Sequence, residues 1–286
     1  MVLKIIRFPL VRLVIALAFF AAAMFGAVFV SSLIKQQTSL EPGPVLSLLN
    51  TTLFAGGALL AYAIYVRLVE WRPVSELAIS RSLLEVSVGL LVGAGMISVV
   101  IAILYALGYY EISGFREPGL LLTPFIATWV AGVTEEVALR GIIFRIVEEW
   151  LGTWIALAFS ALLFGFLHLG NPNSSLLAAV AIAIEAGILL GAVYMVTRRL
   201  WAAIGLHAGW NFTLGSVYGG AVSGGESEGL LISKFTGPDI MTGGAFGVEA
   251  SIVTMVVGLL LAIFYLTRAG RRGNFIAPFW SRPKGA

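Results

Sequence analysis

Stretches of about 20 apolar residues recur from one end of this chain to the other, and that recurrence restricts its fold more than any other feature. Inside a bilayer every backbone N–H and C=O must be satisfied by the protein itself, so each stretch has to become a helix. The stretches fall at about 10–33, 46–69, 83–107, 122–150, 154–169, 176–197, 201–218 and 251–267. They predict an all-α polytopic bundle of about eight membrane helices, forming one integral membrane domain over residues 1–286. Charged residues are 12% of the chain, half the share usual for a soluble domain, which agrees with that class.

The net charge of +3 raises the question of a nucleic-acid partner. The basic residues, however, sit in short clusters beside the apolar stretches. Arg67, Arg72 and Arg81 follow the second, Arg198 and Arg199 the sixth, and Arg268, Arg271, Arg272, Arg282 and Lys284 the eighth. Clusters of this kind orient membrane helices, so no nucleic-acid binding is expected. Their alternation puts both termini on the cytoplasmic side of a multi-pass cell-membrane protein. The first stretch follows Lys4, Arg7 and Arg12 and is too long for a signal-peptide core, so it is expected to stay as a helix. The chain has no cysteine, which excludes disulfides, thiolate catalysis and Cys-ligated metals.

Against this background a few ionisable residues stand inside the spans, where each costs roughly 2.5–3.5 kcal/mol at a helix centre. Glu135, Glu136 and Arg140 lie in the fourth stretch. Glu136 and Arg140 are four apart and share a helix face, so they are expected to pair as a strut. Glu135 is rotated by about 100° and left without a partner, free for general acid–base chemistry. If the helices turn at Leu151–Thr153, Glu135 and His168 lie at equal depth, roughly 24 Å from the turn, and can meet around a water molecule. Phe164, one turn before His168, would wall that site against lipid. His207 and Asn211 are also one turn apart, and an imidazole and an amide can both donate to an oxyanion.

Blander readings exist for each residue singly, since a lone His or Asn on an apolar helix often serves packing. Glu185, in the sixth stretch, is open between polar packing and substrate contact. Gly187 and Gly191 form a small-residue face suited to a close helix contact. Arg145, Glu148 and Glu149 are expected on a solvated helix end. The connection Gly219–Glu249 is read as a flexible loop, with a lid over the site as its functional alternative.

The combination Glu135-Glu136-x-x-x-Arg140, Phe164-x-x-x-His168 and His207-x-x-x-Asn211 resembles the CPBP family. That family comprises the type II CAAX prenyl endopeptidases and bacteriocin-processing (Abi) proteins. The strings His168-Leu169-Gly170-Asn171-Pro172-Asn173, Ile204 to Phe212 and Thr242 to Ser251 are similar to its prokaryotic branch, and the likeness covers about 122–255. The resemblance implies an intramembrane endopeptidase. In it Glu135 and His168 activate water, His207 and Asn211 bind the oxyanion, and Glu136, Arg140 and Phe164 support them. Its substrates would be membrane-associated or prenylated peptides or proteins. No cofactor is expected. The rival is a zinc site on Glu135, His168 and His207, although the helix-borne His-Glu-x-x-His signature is absent. A proton-coupled transporter relaying through Glu135, His168 and Glu185 is the non-enzymatic alternative. The cavity is expected to be conical, wet and wide enough at one end for a peptide, joining Glu135, His168, His207 and Asn211 at mid-depth.

Overall fold

The protein was analysed as a computed structural model that describes residues 6–282; Lys4 and Lys284 lie outside the described residues. Eight long helical segments occupy the predicted stretches, with ends shifted by a few residues. They are α1 (Pro9–Gln37), α2 (Pro44–Glu70), α3 (Ser82–Ala106), α4 (122–151), α5 (Thr153–Leu167), α6 (Leu176–Thr197), α7 (201–217) and α8 (Ile252–Arg271). Six of them, all but α4 and α7, are long and apolar enough to cross a membrane.

The two exceptions explain the layering of the bundle. α4 carries Glu135, Glu136, Arg140, Arg145, Glu148 and Glu149, and α7 is short. α7 sits inside, and α4 is enclosed from Gly132 onward, while its first turns with Leu122 and Phe125 are exposed. Every residue of α7 from Ala202 to Trp210 is buried, whereas α1 buries only Ala16, Ala27 and Ser31. The charged part of α4 thus lies in the inner layer with α7 and the apolar α6, as the cost of ionisable groups in hydrocarbon demands.

α3 and α7 approach backbone to backbone. A Cβ added at Gly89 would lie 2.3 Å from the Ala202 carbonyl oxygen, and one at Gly205 2.3 Å from that of Val86. Lipid tails are as apolar as leucine, so helices in a bilayer associate by such close packing rather than by a hydrophobic drive. Gly187 makes the close helix contact expected of it, against the backbone of Ala161 on α5.

Two ends of the bundle differ. At the basic end, Arg145 and Glu148 are buried, contrary to a solvated helix face. Glu70 accepts from Arg12, Arg72, Arg145 and the Tyr65 hydroxyl, while Glu148 accepts from Thr153 Oγ1 and Arg198. The helices end at one level here, so their terminal charges neutralise one another across the bundle.

At the opposite end, residues 219–251 are not a structureless loop. β2 (Leu231–Phe235) pairs antiparallel with β1 (Tyr110–Phe115) through an irregularity between Ile112 and Gly114. A short helix (Asp239–Thr242) and two tight turns follow, and Phe246, Val248 and Ala250 are buried in the core. This folded cap corrects the expectation of a flexible connection. Its ribbon is the only sheet among the described residues of an otherwise all-α molecule.

Candidate active site

The site is built where four helices and the cap converge. α4 runs as a regular helix to Glu136 and then opens into wide π turns over Val137–Phe144. α6 does the same over Ala183–Ile188, around Glu185, and α7 over Phe212–Val217, directly after Asn211. Such local widenings of a helix often mark functional positions, because they re-aim side chains at a cost in backbone regularity.

Glu136 and Arg140 form the expected pair, Nη1 to Oε1 at 2.9 Å, with both side chains fully buried. Arg140 Nη2 also donates to the Ala186 and Gly187 carbonyls, at 3.3 and 3.0 Å, and so ties α4 to the widened segment of α6. The same Glu136 oxygen meets His207 Nδ1 at 3.1 Å. Nδ1–H therefore donates to Glu136, and Nε2 is left for the reaction space. Nε2 lies 3.9 Å from Glu135 Oε2, beyond a direct hydrogen bond. The Glu135 side chain is 36% exposed and Oε2 has no partner, so this carboxylate borders the opening of the site.

His168 sits at the end of α5 in a tight turn, with Nδ1 2.7 Å from the Phe164 carbonyl. That bond makes Nδ1 the donor and leaves Nε2 as an acceptor. Equal depth did not by itself bring His168 into hydrogen bonding with Glu135; the imidazole beside Glu135 is that of His207. Depth is set by residue counting along the hairpin, whereas lateral position is set by how α7 packs between α3 and α4. Phe164 is also not a wall towards lipid. Its ring is buried under the Arg140 guanidinium, 4.8 Å from Cζ to centroid, and touches the His168 and His207 rings at 4.8 and 6.1 Å. It wedges the charged strut against both imidazoles.

His168, His207, Asn211, Glu185 and Glu249 line one cavity with Phe164. Its volume is about 20 Å³, which holds a single water molecule. The expected wide conical opening is absent because the cap lies on it. Asn171 Nδ2 donates to the Ser223 carbonyl at 3.1 Å and Asn173 Nδ2 to that of Gly224 at 3.2 Å. Gly224, at φ +82°, comes so close that a Cβ would stand 2.0 Å from the Pro172 oxygen. The segment 171–173 is therefore the seat of the cap.

Glu249 is the site residue that motif reasoning missed. Its Oε1 accepts from Trp210 Nε1 at 2.9 Å and its Oε2 from the Ser223 amide. Burial pushes its carboxyl up to about 7, although the Ser223 and Trp210 bonds pull the other way. The available signal was one acid in a run of small and apolar residues ahead of α8. Glu185 is fully buried, faces the same cavity, and neither carboxyl oxygen has a partner among the described residues. Asn211 lines the cavity too, and its side chain bonds no described residue.

The fit of a zinc ion was tested on the donor set. Among the described residues no three His, Asp or Glu side chains converge as metal ligands would. Glu136 and the Phe164 carbonyl hold the two Nδ1 atoms, so a metal could be held there only through the two Nε2 atoms and Glu135.

Comparison with known proteins places this geometry. The family described as type II CAAX prenyl endopeptidase Rce1-like matches residues 117–213. No curated protein and no solved structure matches the chain. The matched segment contains His168, His207 and Asn211 of the cavity lining, the Glu136–Arg140 strut, and Glu135 beside His207. Over that segment the chain is similar to the type II CAAX prenyl endopeptidases, which belong to the CPBP family.

Proposed function

We propose that the protein is an intramembrane endopeptidase in which Glu135 activates a water molecule and no metal takes part. The observation that carries this reading is the position of His207, with Nδ1 on the Glu136–Arg140 strut and Nε2 3.9 Å from Glu135. A base, an acceptor for water and a donor for an oxyanion then come from three separate helices. Hydrolysis needs each of them, whereas a proton path does not need the His207–Asn211 pair.

In the proposed reaction the Glu135 carboxylate takes a proton from water, and the oxygen attacks the peptide carbonyl carbon. His168 Nε2, an acceptor because Nδ1 is tied to Phe164, helps to hold that water. The carbonyl oxygen becomes an oxyanion, accepting from Asn211 Nδ2 and from Nε2–H of His207 as imidazolium, with Glu136 as counter-charge at Nδ1. The tetrahedral carbon collapses, the C–N bond breaks, and protonated Glu135 returns its proton to the leaving amine. The substrate class is a membrane-anchored peptide, prenylated or not, that reaches Glu135 from its exposed side.

The test uses purified protein reconstituted in vesicles with a farnesylated peptide and its unprenylated counterpart. Cleavage of either peptide that persists after chelation and vanishes in Glu135→Gln supports the reading. Chelator-sensitive cleavage restored by zinc overturns the metal-free part. Cleavage retained by folded Glu135→Gln overturns the whole.

A further inference from the structure

A groove of about 410 Å³ that the proposed reaction does not use lies between α3, α6, α7 and α8 at the basic end of the bundle. Arg81, Arg199, Arg268 and Arg272 stand around it. Arg199 is neutralised by Glu85, in a bidentate contact. Arg81, Arg268 and Arg272 have no acidic partner among the described residues, and all three are exposed. Arg268 lies over the Phe264 ring, 5.8 Å from its centroid, and Arg272 is steadied by the Val196 carbonyl at 2.8 Å.

Below this rim the lining turns apolar, with Leu84, Val88 and Phe264 on the flanks. The floor reaches Leu206, seven residues from Arg199 and so roughly 10 Å deeper along the α7 axis. A cationic mouth above an apolar slot at the end of a membrane bundle matches one kind of molecule: an anionic head group carrying a hydrocarbon chain. Basic pockets between membrane helices bind acidic lipid head groups by this complementarity.

We propose that this groove is a binding site for an anionic phospholipid. Its phosphate-bearing head group lies among Arg81, Arg268 and Arg272, and one acyl chain follows the slot past Val88 to Leu206. Leu206 also lines the catalytic cavity, and His207 is the next residue, so the chain end packs against the back of the helix that presents the imidazole. The site is independent of the proposed peptidase chemistry and holds whether or not the protein cleaves peptides.

Native mass spectrometry of the full-length, delipidated protein tests it, with dioleoyl phosphatidylglycerol or dioleoyl phosphatidylcholine titrated in. The expected result is at least ~10-fold tighter binding of phosphatidylglycerol, reduced to the phosphatidylcholine level in Arg81→Gln/Arg268→Gln/Arg272→Gln. Val88→Trp, which fills the slot and keeps every charge, is expected to lower phosphatidylglycerol binding as well. The pair Arg67→Gln/Arg271→Gln, on exposed arginines outside the groove, is expected to leave it unchanged. Equal binding of the two lipids overturns the proposal. So does an equal loss in the Arg67/Arg271 control, which marks general surface charge. Full displacement of the lipid by millimolar inorganic phosphate overturns the acyl-chain part, and an unaffected Val88→Trp does the same.

Discussion

At the scale of single residues, the strut and the unpartnered acids carry opposite expectations. Glu136 and Arg140 are fully buried and paired, so removing one partner leaves the other charge uncompensated. Arg140→Ala is expected to destabilise the protein by about 3–5 kcal/mol, read as thermal unfolding in detergent. A loss under about 1 kcal/mol shows that the pair does not hold the site. Glu185 is the reverse case, since both of its oxygens lack a partner. Glu185→Leu is expected to raise stability by about 1–3 kcal/mol, because it removes an unsatisfied buried polar group. If the same variant loses peptidase activity, Glu185 serves the reaction rather than the fold. The i, i+4 pair was legible in the sequence because a helix fixes its own neighbours. The identity of the imidazole beside Glu135 was not, because it depends on lateral packing between helices far apart in the chain.

At the scale of elements, the α3–α7 contact and the cap are the parts most open to test. Gly93 faces the Leu206 carbonyl so closely that a Cβ would lie 2.2 Å from it, and neither backbone can retreat inside the bundle. Gly93→Leu is expected to cost about 3 kcal/mol, the upper end for overpacking, or to prevent accumulation of folded protein. A full-length yield with unchanged melting contradicts the close approach. Glu249 ties the cap to α7 and titrates in a testable range. Its carboxyl is raised from 4.5 to about 7 by burial, so between those values the folded state binds more protons than the unfolded one. Stability from this group is therefore present below about pH 4.5 and declines as pH rises towards 7, by at most about 3 kcal/mol. Glu249→Gln is expected to flatten that decline, measured as melting temperature against pH; an unchanged slope contradicts the assignment. Long apolar helices announced themselves by length and flanking charge. The β1–β2 ribbon did not, because its two short strands lie more than a hundred residues apart and the alternation in Tyr110–Ser113 is only four residues long.

At the scale of the whole molecule, the arrangement follows one rule: residues that lipid disfavours are enclosed by helices that lipid favours. α4 and α7 supply Glu135, Glu136, Arg140, His207 and Asn211 from the interior, while α1, α2 and α8 present apolar surfaces outwards. The paired charges of the basic end and the folded cap close the two ends of the bundle. Cap closure leaves space for one water molecule, so a substrate peptide must enter from the exposed side of Glu135 or lift the cap from Asn171 and Asn173. The central claim is that Glu135 hydrolyses peptide bonds of membrane-anchored substrates. Mass spectrometry of peptide fragments tests it most directly, comparing membranes that carry the wild-type protein with membranes that carry equal amounts of folded Glu135→Gln. The account predicts a defined set of new peptide termini present only with the wild-type protein. Identical fragment sets in the two membranes would contradict it.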